Sequence, residues 1–94
     1  MESLIVSEDR RRQRLKFRSW HRGTREMDLL LGSFADAHLA QFTSLQLDQY
    51  EDLLEQSDPD LYNWITGTEN IPSECDNDVT RLLCAHRYAN KKAV

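Results

Sequence analysis

The chain is predicted to fold as a single all-α domain, a small five-helix bundle, on three observations. Its 94 residues hold three Gly and two Pro among frequent Leu, Asp and Glu, with no alternating β-branched run of the kind that makes a strand. Met27, Leu30, Leu31, Phe34, His38 and Phe42 recur in steps of three and four, the spacing of one helix face. Start and stop signals then separate the periodic segments: Thr43 with Gln46, Asp58 with Pro59, and Gly67. A chain this long supplies one core and no second domain. The domain is therefore 1–94, with ends at about 1–7 and 89–94 expected to be flexible because they have little to bury.

The first helix is predicted over 8–21, with Leu15, Phe17 and Trp20 as its few apolar contacts and arginines making a solvated basic face. The second, over 26–42, carries the strongest stripe and is the central core helix. Gly32 inside it costs about 1 kcal/mol relative to Ala, which predicts a close crossing by another helix. His38 on that stripe reads as a hydrogen-bonded core histidine. Thr43-Ser44-Leu45-Gln46 has the form of a capping box and opens the third helix. Leu47, Tyr50, Leu53 and Leu54 line its inner side, while Asp48, Glu51, Asp52 and Glu55 make a solvated carboxylate face. A short fourth helix is predicted from an Asp58 cap and Pro59 at its first position to Gly67, with Leu61, Trp64 and Ile65 inward. After a loop at 68–72, a last helix over 76–88 turns Val79, Leu82, Leu83 and His86 inward.

Charge is segregated along the chain. Residues 1–26 hold eight Lys/Arg against four acids, residues 27–80 hold twelve acids and no Lys or Arg, and the overall balance is −4. Such asymmetry bears on partners rather than on fold. No run approaches the roughly 18–20 apolar residues of a membrane span, and the start has no basic region ahead of its apolar patch. The Arg-rich beginning is interrupted by Glu2, Glu8 and Asp9, unlike an acid-poor mitochondrial transit peptide, so a bacterial cytoplasm is the simpler compartment. Cys75 and Cys84 read as thiols. Cys84 and His86, two apart, point to different sides of a helix, and no metal site is predicted. No Gly-rich loop follows a strand, and no Ser or Cys has a convincing base, so no catalytic residue is predicted.

The most informative stretch is Arg22-Gly23-Thr24-Arg25-Glu26, where two guanidiniums, a flexible backbone position and a carboxylate meet between two helices. Two readings stand side by side. One is a helix-ending glycine followed by an acidic first turn. The other is a binding loop, in which a residue without Cβ lets a partner's backbone approach.

The assembled pattern resembles a known family. It consists of Phe17-Arg18-Ser19-Trp20-His21-Arg22-Gly23, the RGxxE set Arg22, Gly23 and Glu26, then Asp28 to Phe34, Tyr50-Glu51-Asp52-Leu53-Leu54, and Asp58-Pro59-Asp60-Leu61-Tyr62-Asn63-Trp64. Together these look like the flavinylation (FAD assembly) factors of succinate dehydrogenase, over about 11–72. The resemblance implies a five-helix fold and an assembly factor that binds the flavoprotein subunit of succinate dehydrogenase, or of fumarate reductase in related members. It promotes covalent attachment of FAD to a histidine of that client and has no cofactor of its own. It also implies a client-binding surface of Arg18, Arg22, Gly23, Glu26, Asp60, Tyr62 and Asn63. Trp64 is shared equally between that surface and the core. A eukaryotic member would work in the mitochondrial matrix.

On that reading the Gly23 loop approaches the client, Arg22 makes forked hydrogen bonds to client oxygens, and Glu26 fixes either Arg22 or a client donor. The protein is expected to act as a monomer, without nucleic acid. Two rivals from other classes are a regulatory, antitoxin-like interaction module and nucleic-acid binding by Arg10, Arg11, Arg12, Arg14 and Arg18. The acidic middle of the chain opposes the second.

Overall fold

The computed structural model describes the backbone of residues 4–93 and the side chains of 7–86. Five helices follow in order: α1 Leu4–Trp20, α2 Arg25–His38, α3 Ser44–Leu54, α4 Asp58–Thr66 and α5 Asp78–Ala93. Short 3₁₀ turns at Leu39–Gln41 and Ser73–Cys75 complete the chain, and no strand occurs among the described residues. The architecture is the all-α five-helix bundle that the periodicity predicts. The expected flexible ends fall partly outside the described residues; where the backbone is described, it is helical from Leu4 and through Ala93.

The core is the predicted one with local changes. Met27, Leu30, Leu31, Phe34 and Phe42 are buried with Leu47, Tyr50, Leu53, Leu54, Leu61, Ile65, Val79 and Leu83. Phe34 is the hub, its ring centroid 5.5 Å from that of Tyr50 and 6.0 Å from that of Phe42. Tyr50 is wholly buried, and its hydroxyl lies 2.6 Å from Ser19 Oγ, which itself donates to Leu15 O at 2.7 Å. Burial pushes the Tyr50 phenol up to about 12, so it remains a neutral partner. His38 is half-buried and held between the rings of Phe34 and Phe42. His86, also half-buried, meets Ser33 Oγ at 3.0 Å.

Besides the outer ends of α1 and α5, which run beyond the expected 8 and 88, three boundaries differ from expectation. The central helix stops at His38 instead of running to Phe42, because Arg12 on α1 takes the carbonyls beyond it: Nε donates to Leu39 O at 2.9 Å and Nη2 to Phe42 O at 2.8 Å. The last helix begins at Asp78, since Asn77 Oδ1 accepts from the Thr80 amide at 3.0 Å. The fourth helix is capped by Ser57, whose hydroxyl accepts from the Asp60 amide at 3.3 Å; Asp58 is its first residue and Pro59 its second. That shift of one position leaves the Asp58 carboxylate available for another partner.

Side-chain pairings set the directions of packing. Trp20 lies on Gly32, Lys16 pairs with Asp36 and Arg12 reaches Leu39 and Phe42, so α1 and α2 are antiparallel. A Cβ on Gly32 would sit 2.2–2.5 Å from the Trp20 ring, and this is the close crossing the glycine predicts. Against α3, α1 runs parallel. Glu8 accepts from Ser44, Arg11 pairs with Asp48 at 2.5 Å and Glu51 at 2.9 Å, and Arg18 pairs with Glu55 at 2.5 Å. The basic face of the first helix and the acidic face of the third, both expected to be solvated, instead form a ladder with each other. Phe17 is corrected as well: it is 64% exposed and not a core contact.

Candidate functional site

The junction between α1 and α2 is built by its own short sequence. The last turn of α1 closes with the His21 amide on Arg18 O, and His21 Nδ1–H donates back to Phe17 O at 2.7 Å while its ring stacks on Phe17. Gly23 then takes φ +123°, a conformation that strains any residue with a Cβ, although open space surrounds the position. Asp28, one turn into α2, folds the loop onto that helix: its Oδ1 accepts from the Arg22 amide at 2.5 Å and the Gly23 amide at 3.4 Å. Thr24 caps α2 through its hydroxyl on the Met27 amide.

Arg22 points away from this loop and into the joint between α3 and α4. Its Nε and Nη2 approach Asp58 Oδ1, each at 2.9 Å, while Nη1 donates to Leu54 O at 2.6 Å and Nη2 to Gln56 O at 2.8 Å. Leu54 O is one of the carbonyls left without a partner at the end of α3, and a cation is favoured there, as an anion is at the start of α4. The Arg22 side chain is only 12% exposed. The forked hydrogen bonds expected toward a client are thus made to the chain itself, because the two helix ends converge on this side of α1. Its carboxylate partner is Asp58 on α4, not Glu26.

Glu26 lies in the exposed first turn of α2. With Arg25, Leu29 and Leu30 it lines a shallow depression of about 430 Å³. Leu29 is 51% exposed, lying off the buried stripe. Arg25 and Leu29 are absent from the sequence-derived site, although the departure of Leu29 from the spacing of Met27, Leu30, Leu31 and Phe34 is a readable signal for it. Asp28 and Asp58 were missed as site-building residues because nothing in local spacing tells a carboxylate that organises a loop from one that faces water.

The second expected segment divides. Asp60 is exposed, and Tyr62 is exposed one turn from Asp58 on the same side of α4. Asn63 is half-buried and braces the helix end, its carbonyl accepting from the Thr68 amide at 2.8 Å and its Nδ2 donating to Glu69 Oε1 at 2.5 Å. Trp64 is 8% exposed and belongs to the core. Arg18 is held by Glu55. The structure therefore brings Arg22 to the start of α4, leaves Gly23, Glu26, Asp60 and Tyr62 at the surface, and withdraws Trp64.

Among the described residues no group of three His, Cys, Asp or Glu is arranged to hold a metal ion, and no helix is long and apolar enough to cross a membrane. Cys75 and Cys84 are free, and burial pushes both thiols up, away from the thiolate form.

Comparison with known proteins bears directly on this arrangement. Residues 13–87 match the sequence profile of the family described as flavinator of succinate dehydrogenase. The chain belongs to that family. Its flavinator relatives include the FAD assembly factor SdhE of Acetobacter pasteurianus, 44% identical over 81 residues, which are 83% of this chain and 74% of the relative. The mitochondrial succinate dehydrogenase assembly factor 2 of Dictyostelium discoideum is 43% identical over 75 residues, 80% of this chain and 53% of the relative. Assembly factor 2-B of Drosophila mojavensis is 41% identical over 78 residues, 81% of this chain and 50% of the relative. The chain spans about half the length of the mitochondrial relatives it matches. The residues matched by the family profile include the α1–α2 loop, the α3–α4 joint and most of α5.

Proposed function

We propose that this chain is an assembly factor that binds the flavoprotein subunit of succinate dehydrogenase and promotes covalent attachment of FAD to it. The flavoprotein of fumarate reductase is a second client. The observation that carries this reading is membership of the flavinator family across all five helices. The FAD is the client's, and the chain contributes no catalytic group of its own. It acts in whichever compartment the client is assembled, the bacterial cytoplasm or the mitochondrial matrix.

The geometry supports a division of labour within 22–26. Arg22 pins α1 to the α3–α4 joint, Asp28 holds the loop, and Gly23 exposes backbone that no Cβ screens. Arg25, Glu26 and Leu29 stand beside that loop as contact groups, with Asp60 and Tyr62 on α4 as further contacts. Flavin attachment requires the isoalloxazine, its acceptor side chain and the groups that stabilise developing negative charge to be held together. A rigid helical surface can contribute by stabilising the one client conformation in which they are. Engagement of Arg11, Arg12, Arg18 and Arg22 inside the chain weakens the nucleic-acid reading of the first helix.

The test is covalent flavin on the client. The flavoprotein subunit is co-expressed with this chain, with its Glu26→Ala variant or with neither, and flavin fluorescence is read in the denatured protein band. Fluorescence should rise with the wild type and fall back with the variant at unchanged helicity. No dependence on the chain, with both proteins folded, would sink the assembly role and return the interaction-module reading.

A further inference from the structure

The outward side of α1 is a second surface that the site above does not use. Phe17 stands exposed there with His21 stacked on it, ring centroids 3.9 Å apart and planes 18° from parallel. Arg10, Gln13 and Arg14 lie within one or two turns on the same side, and with Arg18 they and Phe17 line a groove of about 560 Å³. Among the described residues of α1, Glu8 is turned to Ser44 and Asp9 to Arg12. Arg14 has no ion-pair partner among the described residues. An aromatic ring framed by cations on one side of a helix is a poor core element and a good recognition element, since Arg and aromatic side chains dominate binding hot spots. The stack and the His21 hydrogen bond to Phe17 O hold the ring in advance, which lowers the entropic cost of using it.

We infer that this face docks an acidic segment of the client flavoprotein that also carries an apolar anchor side chain. A carboxylate meets Arg14, and the anchor lies on the Phe17–His21 stack. The inference rests on the client reading above and extends it, for His21 is joined directly to the Arg22–Gly23 loop in the chain. Charge complementarity selects an acidic partner. A duplex is disfavoured because the cations on the neighbouring side of α1 are bound to the acids of α3, leaving a basic strip only one helix face wide.

Calorimetric titration of the purified chain into the flavoprotein subunit, at low and high salt, tests it without reading flavinylation. Phe17→Ser should weaken binding about tenfold or more at an unchanged melting midpoint. Arg14→Glu should weaken it comparably at low salt and less at high salt. Leu45→Ser, another exposed apolar position outside the groove, should bind as wild type. If Phe17→Ser and Arg14→Glu bind normally while Glu26→Ala does not, the client reading stands and this face is not its contact. Loss of retention on phosphatidylglycerol vesicles in the same two variants, with client binding intact, would assign the face to a membrane surface instead. A wild-type chain that never binds the subunit would overturn the client reading and this occupant together.

Discussion

The two long sides of α1 carry the same kind of residue and do different things with it. Toward α3, Arg11 and Arg18 meet Asp48, Glu51 and Glu55 in a parallel ladder, and Arg22, two residues past the end of α1, continues it onto Asp58 at the start of α4. Away from the bundle, Arg10 and Arg14 surround an exposed phenylalanine. An arginine's role here follows from its angle about the helix axis: Arg11 and Arg18 on the side that meets the acids of α3 become architecture, whereas Arg14 on the outward side has no ion-pair partner among the described residues. Even within the ladder the rungs differ: Arg11 and Arg18 pair with carboxylates about half or more exposed, whereas Arg22 is nearly enclosed and satisfies two backbone carbonyls as well.

The sharpest way to break the comparison is to remove the charge from each side in turn. Arg22→Met leaves Asp58 and two carbonyls without their donor and should cost about 3 kcal/mol in urea unfolding, against about 0.5 kcal/mol or less for Arg14→Met. Equal, small losses would mean that the enclosed rung contributes no more than the outward arginine.

The side of α1 that faces α2 is tested next. Gly32→Ala should destabilise the fold by about 2 kcal/mol despite the helix propensity Ala adds, because its Cβ collides with the Trp20 ring. Trp20 fluorescence should shift to the red as the ring moves into water. A stabilised variant would show that Trp20 swings aside at no cost.

The buried side, where Ser19 meets Tyr50, has a pH signature. The native Tyr50 phenol keeps its proton up to about 12 while the unfolded chain loses it near the ordinary value of 10, so stability falls as pH rises between the two. Wild type should lose about 2 kcal/mol more than Tyr50→Phe across that window in urea titrations. Parallel curves would remove the buried phenol as their cause.

The smallest effect belongs to the exposed rungs. Arg18→Gln should cost under about 1 kcal/mol, and the difference should vanish in high salt, as solvent screening of a surface pair requires. A larger, salt-insensitive loss would place Arg18 with Arg22 rather than with Arg11.

Much of the fold is legible in the sequence because it is local. The stripe from Met27 to Phe34 and the Thr43–Gln46 capping box, whose two reciprocal hydrogen bonds are both made, depend on residues within a turn or two of each other. The helix-ending Gly67, at φ +79°, is of the same kind, and Gly32 in a strong helical stripe announces a close neighbour without naming it. Of the candidate site, the loop at Gly23 and the exposed first turn with Glu26 were readable from their place between two periodic segments. The direction of Arg22 and the exposure of Phe17 were not. Trp64 lies one turn from Leu61 and beside Ile65, so its spacing already placed it on the inner side of α4, and its burial there decides between the core and the client surface that the resemblance also offered.

What the sequence by itself determined is therefore the set of helices, most of their ends and most of the core, together with a family resemblance that the comparisons bear out. What only the tertiary structure decided is which charges meet. Helix periodicity is written over three or four residues, whereas the rungs of the ladder join positions 36 to 40 apart. Their pairing exists only once α1 and α3 lie side by side in the same direction. That packing gives Arg22, which local spacing leaves in a loop, its place between the end of α3 and the start of α4.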